Sequence, residues 1–186
     1  MRFLKLLTLY AGLSLGAIGA APVMADTGAL IALAQGDLGK LRFSSDPKHV
    51  PVTKFQDANG ANVSMKDYRG RYVLLNFWAL WCAPCREEMP ALEALNQKVG
   101  GLDVVTVATG RNARPAVDKF FAEEKLKTLP KLFDPKMNMA RDFGALGLPV
   151  TVLIDPEGRE IARAAGAVHW DSPAAIKLFE TWIAGS

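Results

Sequence analysis

The chain has two cysteines in 186 residues, Cys82 and Cys85, and they are separated by two residues directly after a run of apolar residues. A pair with this spacing at the start of a helix is typical of a dithiol that cycles with a disulfide. The free N–H groups and the positive dipole end of a helix start favour the thiolate form of Cys82. Cys85, one turn further on, can then resolve a mixed disulfide formed by Cys82. The motif therefore predicts a buried strand, a tight turn and a helix that carries the reactive sulfurs.

Two other interpretations of the cysteine pair are a structural disulfide and half of a zinc site. A disulfide that closes so short a loop adds little stability, because the gain grows with loop length. A zinc site needs two further ligands, and His49 and His169 are the only non-carboxylate candidates. The position between an apolar strand and a helix favours the redox interpretation.

The first 25 residues have the features of an export signal. Arg2 and Lys5 form a basic end, residues 6–25 carry no charge, and Val23-Met24-Ala25 resembles a signal peptidase site. The uncharged run of roughly 20 residues is also long enough to span a bilayer. The sequence predicts a periplasmic domain that is either soluble after cleavage, which the glycine content of the run favours, or anchored to the inner membrane by an uncleaved helix.

Export changes how the charge and the cysteines are interpreted. The net charge of +3 falls to +1 once Arg2 and Lys5 are removed with the signal. A near-neutral domain gives no support for nucleic-acid binding. In an oxidising compartment a cysteine pair stays oxidised and idle unless another protein reduces it or it is itself an oxidant.

The pattern of apolar residues divides the chain into three parts. Residues 1–25 are the signal peptide or anchor, residues 26–50 are a lead-in with a short helix and a linker at 44–47, and residues 51–186 form the folded domain. Alternation of strands and helices in the domain, followed by a hairpin and a helix, predicts an α/β fold with a mixed sheet covered on both faces. The predicted strands are 52–56, 72–78, 102–108, 129–133, 148–154 and 160–164, with a return strand at Val63, and the predicted helices are 65–68, 81–100, 114–125, one starting at Asp134, and 173–184.

The segments LLNFWA, WCAPCREEMP and GLPVTVLIDPEG together resemble the exported thioredoxin-like reductases of the TlpA, ResA and CcmG type. The resemblance runs from about Val52 to the C-terminus. It is strongest to the TlpA group of alphaproteobacterial thiol:disulfide interchange proteins, on residues 32–41 and 165–179. The resemblance implies a thioredoxin-like fold with a mixed central sheet flanked by helices and an N-terminal β-hairpin extension.

The same resemblance implies roles for individual residues. Cys82 would be the nucleophile and Cys85 the resolving thiol. Pro149 would be the cis-proline that lies against the dithiol and binds an extended client chain, with Leu148 beside it as a further substrate-binding residue. Trp81 would shape the surface on which clients dock.

A carboxylate follows the cysteine pair at a fixed distance. Glu88 matches an acidic residue of these reductases, and it lies three residues after Cys85 on the same helical face. If it is partly buried, its raised pKa would suit proton exchange with Cys85. A solvated helix carboxylate, which is also the interpretation for Glu87, is the alternative. Asn76 stands where cytoplasmic thioredoxins keep a buried aspartate, which favours Glu88 as the proton carrier.

Other residues with chemical potential are interpreted as structural. Trp78 is expected in the core, and His169, in a loop before a helix, is expected to be structural rather than a metal ligand. Met137 and Met139 fit a helical packing stripe better than a copper site. Residues 111–114 are expected to form a solvated loop.

The resulting functional hypothesis is an exported thiol:disulfide oxidoreductase that reduces client proteins and is itself reduced by a membrane electron donor of the CcdA or DsbD type. No histidine lies between the cysteines to stabilise the reduced form, as a strong oxidant needs, and this favours a reductant. The TlpA resemblance implies clients that assemble the copper centres of cytochrome oxidase, and a CcmG-like role would imply apocytochrome c. No cofactor and no metal are expected.

Three alternative functions stay open at the level of sequence. A Sco-like copper chaperone would hold copper through the thiolates, although such proteins use a wider cysteine spacing and a distant histidine. A peroxidase would need a Pro/Thr-rich segment before Cys82, which the chain lacks. A purely structural domain would lose only stability when Cys82 is replaced.

Overall fold

The protein is described by a computed structural model that covers residues 27–185, so the predicted export segment 1–25 lies outside the described residues. The chain from 27 to 185 forms one sheet of eight strands, in the order β1-β8-β7-β4-β5-β6-β2-β3, with helices packed on it. The strands are Arg42–His49 (β1), Phe55–Gln56 (β2), Asn62–Val63 (β3), Tyr72–Trp78 (β4), Leu102–Thr109 (β5), Leu132–Asp134 (β6), Val150–Ile154 (β7) and Arg159–Ala165 (β8). The helices are Thr27–Leu33 (α1), Ala83–Lys98 (α2), Arg114–Glu123 (α3), Asn138–Asp142 (α4) and Pro173–Ala184 (α5), with short 3₁₀ helices at Gly36–Lys40 and Met65–Tyr68.

The centre of the sheet is β4, which has the predicted bounds and is buried on both faces. It pairs in parallel with β5 and antiparallel with β7, so the sheet is mixed, as predicted. Two apolar cores lie on opposite faces of the sheet. One contains Trp78 and the inner side of α2, and the other contains Phe77 and α4. The continuous apolar run of β4 is the expected composition for a strand covered on both sides.

Helix α2 begins at Ala83, two residues later than predicted, because Cys82 has an extended backbone and serves as the N-cap. The helix ends at Lys98 rather than 100. The predicted inward side chains Met89, Leu92 and Leu95 are all buried. The register of the helix thus fixes which cysteine faces the core.

The linker predicted at residues 44–47 is wrong. These residues lie within β1, which pairs antiparallel with β8 at one end of the sheet. A register shift between Phe43 and Lys48 marks an irregularity that contains Pro47. Proline and charged residues fit an edge strand because one side of its backbone needs no ladder partner. Pairing with a distant strand therefore outweighs the local turn signal.

Two smaller differences concern boundaries. Strand β2 is limited to Phe55–Gln56, although the predicted hairpin through residues 57–60 to β3 is confirmed. The helix predicted from Asp134 begins at Asn138, because the Asp134 carboxylate accepts the N–H groups of Asn138 and Ala140 at 2.9 Å each and ends β6. Met139 on this helix is fully buried in the core.

Within residues 27–185, no helix combines the length and the apolar character needed to cross a membrane.

Glu93 is a buried carboxylate on α2 that fixes the loop before β6. It accepts the backbone N–H groups of Lys127 and Thr128 at 3.0 Å and of Leu129 at 3.2 Å. Gln97 donates a further hydrogen bond at 2.7 Å. Burial opposes ionisation of this group, but the backbone N–H donors outweigh it and hold the pKa of Glu93 below its usual value.

Replacing Glu93 with glutamine is expected to lower the free energy of unfolding by about 1–3 kcal/mol. The glutamine side chain has one oxygen and one NH₂ group, and the NH₂ group cannot accept the backbone N–H groups that the second carboxylate oxygen accepts. Urea unfolding at pH 7 measures this change. Glu87→Gln, on the exposed face of the same helix, is the control and should leave the stability unchanged. Equal midpoints for the two variants would contradict the assigned role of Glu93.

Candidate active site

The two sulfurs lie at the start of α2, joined in a disulfide with an S–S distance of 2.06 Å. As N-cap, the Cys82 sulfur accepts the Cys85 backbone N–H at 3.3 Å. Cys82 keeps 6 % of its surface exposed, whereas Cys85 is fully buried. Cys82 is therefore largely buried, but it is the one cysteine of the pair with any surface that a partner can contact, and Cys85 can react only with a group already attached to Cys82.

The turn between β4 and Cys82 is held by Asn112 from the loop after β5. Its side-chain oxygen accepts the Leu80 N–H at 2.8 Å, and its amide donates to the Thr109 carbonyl at 2.9 Å. Arg114 also has defined contacts, since its guanidinium donates to the carbonyls of Asp57 and Ala58 at 2.8 Å each. The solvated loop predicted for residues 111–114 is therefore wrong for Asn112 and Arg114.

The Leu148–Pro149 peptide bond is cis, as the resemblance implied. Pro149 directly precedes Val150, which pairs with Phe77 at the end of β4 from which the chain continues to Cys82. The cis-proline and the cysteines therefore belong to the same end of the sheet. The Pro149 carbonyl accepts the Gly166 N–H at 2.9 Å, and proline has no N–H of its own. Leu148, the residue before it, is half-buried.

The two tryptophans around the cysteines have different surroundings. Trp78 is buried against Phe120 and Phe121, with ring centroids 5.5 and 6.0 Å away, which confirms its place in the core. Trp81 is 65 % exposed directly before Cys82. Leu146, in the loop that leads to the cis-proline, is 78 % exposed. An exposed apolar side chain thus precedes each of the two segments, Trp81 before the cysteine pair and Leu146 before the cis-proline.

Glu88, one helical turn after Cys85, is buried with only 4 % of its surface exposed, so the solvated alternative is wrong. Asn76 donates its amide to one carboxyl oxygen at 2.8 Å, and the backbone N–H of Val168 and the indole N–H of Trp170 donate to the other at 3.2 Å each. Asn76 also donates to the Thr151 hydroxyl oxygen at 3.0 Å. Strand β4 and the loop after β8 therefore supply the donors to one carboxyl group, and β7 contacts this group indirectly, through the bond of Thr151 to Asn76.

Burial raises the pKa of Glu88 from 4.5 to about 7, in the direction predicted. The N–H groups of Asn76, Val168 and Trp170 oppose the shift, because they stabilise the carboxylate. A carboxyl group with a pKa near 7 can both accept and release a proton at neutral pH. It lies one helical turn after Cys85, the sulfur that is closed to solvent.

Trp170 was not identified from the sequence as a site residue. Its side chain is fully buried and contacts Glu88, 82 residues earlier in the chain. A buried tryptophan needs a hydrogen-bond acceptor for its indole N–H, which is the only sequence signal that could have suggested this contact. Asn112 gave no signal beyond its position in a loop.

His169 precedes Trp170 in the chain but forms none of the hydrogen bonds to Glu88. Its ring pairs with the Asp37 carboxylate, and 83 % of the side chain is exposed. In the part of the chain that the structure describes, no group of three or more His, Cys, Asp or Glu side chains could hold a metal ion.

Comparison with known proteins places these features in context. Residues 47–162 match the family model described as the AhpC/TSA family. The chain is 30% identical over 134 residues to the thiol-disulfide oxidoreductase ResA of Bacillus cereus, covering 72% of this chain and 78% of that protein. It is 30% identical over 126 residues to ResA of Bacillus subtilis, covering 67% and 69%. The crystal structure of a thiol:disulfide interchange protein, DsbE, from Chlorobium tepidum matches with a TM-score of 0.62 at 29% identity, over 76% of this chain and 99% of that one. These similarities confirm the thioredoxin-like fold.

Proposed function

Because this chain belongs to the AhpC/TSA family and is a thiol-disulfide oxidoreductase, we propose that it reduces disulfides of client proteins outside the cytoplasm. The observation that carries the proposal is the asymmetry of the pair. Cys82 keeps a small exposed surface at the N-terminus of a helix, whereas Cys85, one turn before the buried Glu88 with its pKa of about 7, is fully buried. Such an arrangement gives one sulfur the role of attacking group and the other the role of resolving group.

The first step is attack by the Cys82 thiolate on a client disulfide. A bond forms between the Cys82 sulfur and one client sulfur, while the client S–S bond breaks and its second sulfur leaves as a thiolate. The N-cap position stabilises the attacking thiolate, because the Cys85 N–H points at the sulfur and the helix dipole favours negative charge there.

The second step releases the client. Cys85 loses its proton and attacks the Cys82 sulfur, which restores the Cys82–Cys85 bond and frees the first client sulfur as a thiolate. Two electrons have then passed from the protein to the client, whose thiolates take protons from solvent. Glu88 is the proposed acceptor of the Cys85 proton, because it is buried on the same helical face and its pKa of about 7 suits the exchange.

Clients are proposed to dock across the exposed side chain of Trp81 and the segment before the cis-proline. An extended client chain would take its hydrogen bonds from Leu148, since the Pro149 carbonyl is already bonded to Gly166. Trp81 would supply apolar contact beside the reacting sulfur. Aromatic residues are favoured at such contacts because they bury a large area at low entropic cost.

The finer assignment is a periplasmic reductant of the TlpA type that serves copper-centre assembly of cytochrome oxidase, with apocytochrome c as the alternative client. The sequence similarity of residues 165–179 supports this choice, and so does the export segment at residues 1–25. A membrane protein of the CcdA or DsbD type would re-reduce the Cys82–Cys85 disulfide after each cycle.

The reduction potential of the cysteine pair tests the direction of electron flow. We expect a value of about −270 mV, as in thioredoxin, rather than about −120 mV, as in DsbA. Equilibration with glutathione or thioredoxin of known potential, followed by quantification of the two redox forms, gives this number. A potential above about −200 mV would contradict the reducing function.

A further inference from the structure

The part of the lead-in that precedes β1, residues 27–41, contacts the loop 166–170 that binds Glu88. Lys40 donates its ammonium group to the Ala167 carbonyl at 2.5 Å. The Asp37 carboxylate pairs with the His169 ring. It also forms an ion pair with Lys40, with 3.3 Å between the carboxylate oxygen and the ammonium nitrogen. Leu38, between these two charged residues, is buried in the same core as Trp170.

Successive residues of this loop face two different partners. Ala167 and His169 contact the lead-in, through Lys40 and Asp37. Val168 and Trp170, which alternate with them, direct their N–H groups at the same oxygen of Glu88, 3.2 Å away in each case. Alternating residues of one short loop therefore contact the lead-in and the carboxyl group.

We propose that the lead-in is a positioning element for Glu88, in which Lys40 and Asp37 hold the loop 166–170 so that Val168 and Trp170 fix the carboxyl group one turn from Cys85. The inference deepens the proposed function, since it rests on Glu88 as the proton acceptor of the reaction. Lys40 and Asp37 form no contact with either sulfur; Asp37 acts through the loop, and Lys40 acts through the loop and also through its charge on Glu88.

The groups that act on Glu88 come from β4, the loop 166–170 and the lead-in. From β4 it faces Asn76, from the loop it faces Val168 and Trp170, and on its own helix it follows Cys85. The Lys40 ammonium is the charged group that acts on it from the lead-in, and it lowers the pKa of Glu88, after the hydrogen-bond donors. Asp37 and His169 pair with each other, and neither forms one of the hydrogen bonds to Glu88.

The test is a titration of Glu88 in the full-length oxidised protein, followed through its carboxyl carbon by ¹³C NMR. Replacing Asp37 with alanine separates positioning from simple electrostatics, because the two predict opposite signs. Loss of a nearby negative charge would weaken proton binding by Glu88. Loosening of the loop would withdraw donors from its carboxylate and strengthen proton binding, by an expected factor of about two.

Two further variants give the expected size of the effect. Lys40→Met keeps the aliphatic stem and should raise the proton-binding constant of Glu88 by a factor of about two to five. Trp170→Phe removes one donor directly and should raise it about tenfold. If Trp170→Phe does not fold, the Asp37 and Lys40 variants decide the question by themselves.

Lys48→Met is the matched control. Lys48 is an exposed lysine of β1 paired with Asp46 at 3.4 Å. Its replacement should leave the titration of Glu88 unchanged. A folded Asp37→Ala protein in which proton binding by Glu88 is weaker than or equal to that of the original protein would overturn the proposal. So would a Lys40→Met titration identical to that of Lys48→Met.

The pH dependence of disulfide reduction separates this proposal from the proposed function. If the Lys40 and Asp37 variants shift both the titration of Glu88 and the pH profile of the rate, both proposals are supported. If they shift the titration alone, the positioning role is supported and Glu88 is not the proton acceptor.

Discussion

Replacing Cys82 with serine is expected to reduce the rate of protein disulfide reduction by at least about a thousandfold, down to the rate in buffer. A serine hydroxyl is not ionised at neutral pH and cannot form the mixed disulfide that the reaction requires. Insulin reduction with dithiothreitol as electron source measures the effect. The fold should be retained, because the disulfide closes a loop too short to contribute much stability.

Cys85→Ser is the informative counterpart, since it keeps the attacking sulfur and removes the resolving one. This variant should perform the first half of the cycle and stop as a covalent adduct with the client through Cys82. Such adducts, recovered from cells of the source organism and identified by mass spectrometry, would name the clients. A copper-centre assembly factor or an apocytochrome c among them would decide between the two finer assignments.

The opposite pattern would remove the basis of the proposed function. If Cys82→Ser retains turnover, or if Cys85→Ser forms no adducts while Cys82→Ser does, then the roles of the two sulfurs are wrong. A protein that loses only stability in both variants would be a structural domain rather than an oxidoreductase.

Between pH 4 and pH 8, the difference in unfolding free energy between the Glu88→Gln variant and the original protein is expected to change by about 3 kcal/mol. Burial raises the pKa of Glu88 from 4.5 to about 7. Above pH 4.5 the unfolded chain releases this proton, whereas the folded protein keeps it until about pH 7. The unfolded state therefore binds fewer protons in that window, and the native protein loses about 1.4 kcal/mol of stability per pH unit.

The glutamine variant lacks this titration, so its stability relative to the original protein should rise steadily from pH 4.5 and level off above pH 7. Urea unfolding of both proteins in the oxidised state isolates the effect, because cysteines in a disulfide do not titrate. Glu87→Gln, one residue earlier and exposed, should show no such trend. Stability curves of Glu88→Gln and the original protein that stay parallel across the window would show that the folded protein ionises Glu88 at its ordinary pKa.

Local signals in the sequence were sufficient for the elements around the cysteines. The bounds of β4 follow from one uninterrupted apolar run, and α2 follows from helical spacing of Met89, Leu92 and Leu95. Strand β1 could not be predicted in the same way, because its residues are mostly polar and include Pro47. It is a strand only because β8 offers a backbone to pair with, and β8 lies more than a hundred residues further on.

The candidate site shows the same division. Cys82 and Cys85 are identified from their spacing at the start of a helix, and Glu88 from the resemblance together with its place one turn after Cys85; its raised pKa is expected only if it is buried, as it is. Its donors come from segments 12 and 80 to 82 residues away in sequence. No periodicity of α2 encodes those contacts, so Trp170 could be identified as a site residue only once the chain was folded.

The two ends of the sheet bear on how the protein survives among its clients. On one side the terminal strand, β3, is two residues long, and on the other β1 carries Pro47, flanking charges and an irregular register. Neither offers the long, flat row of free backbone groups on which unfolded chains assemble into aggregates. If its clients are incompletely folded proteins whose disulfides it reduces, as proposed, the protein can react with them through Cys82 without recruiting them into intermolecular β-structure.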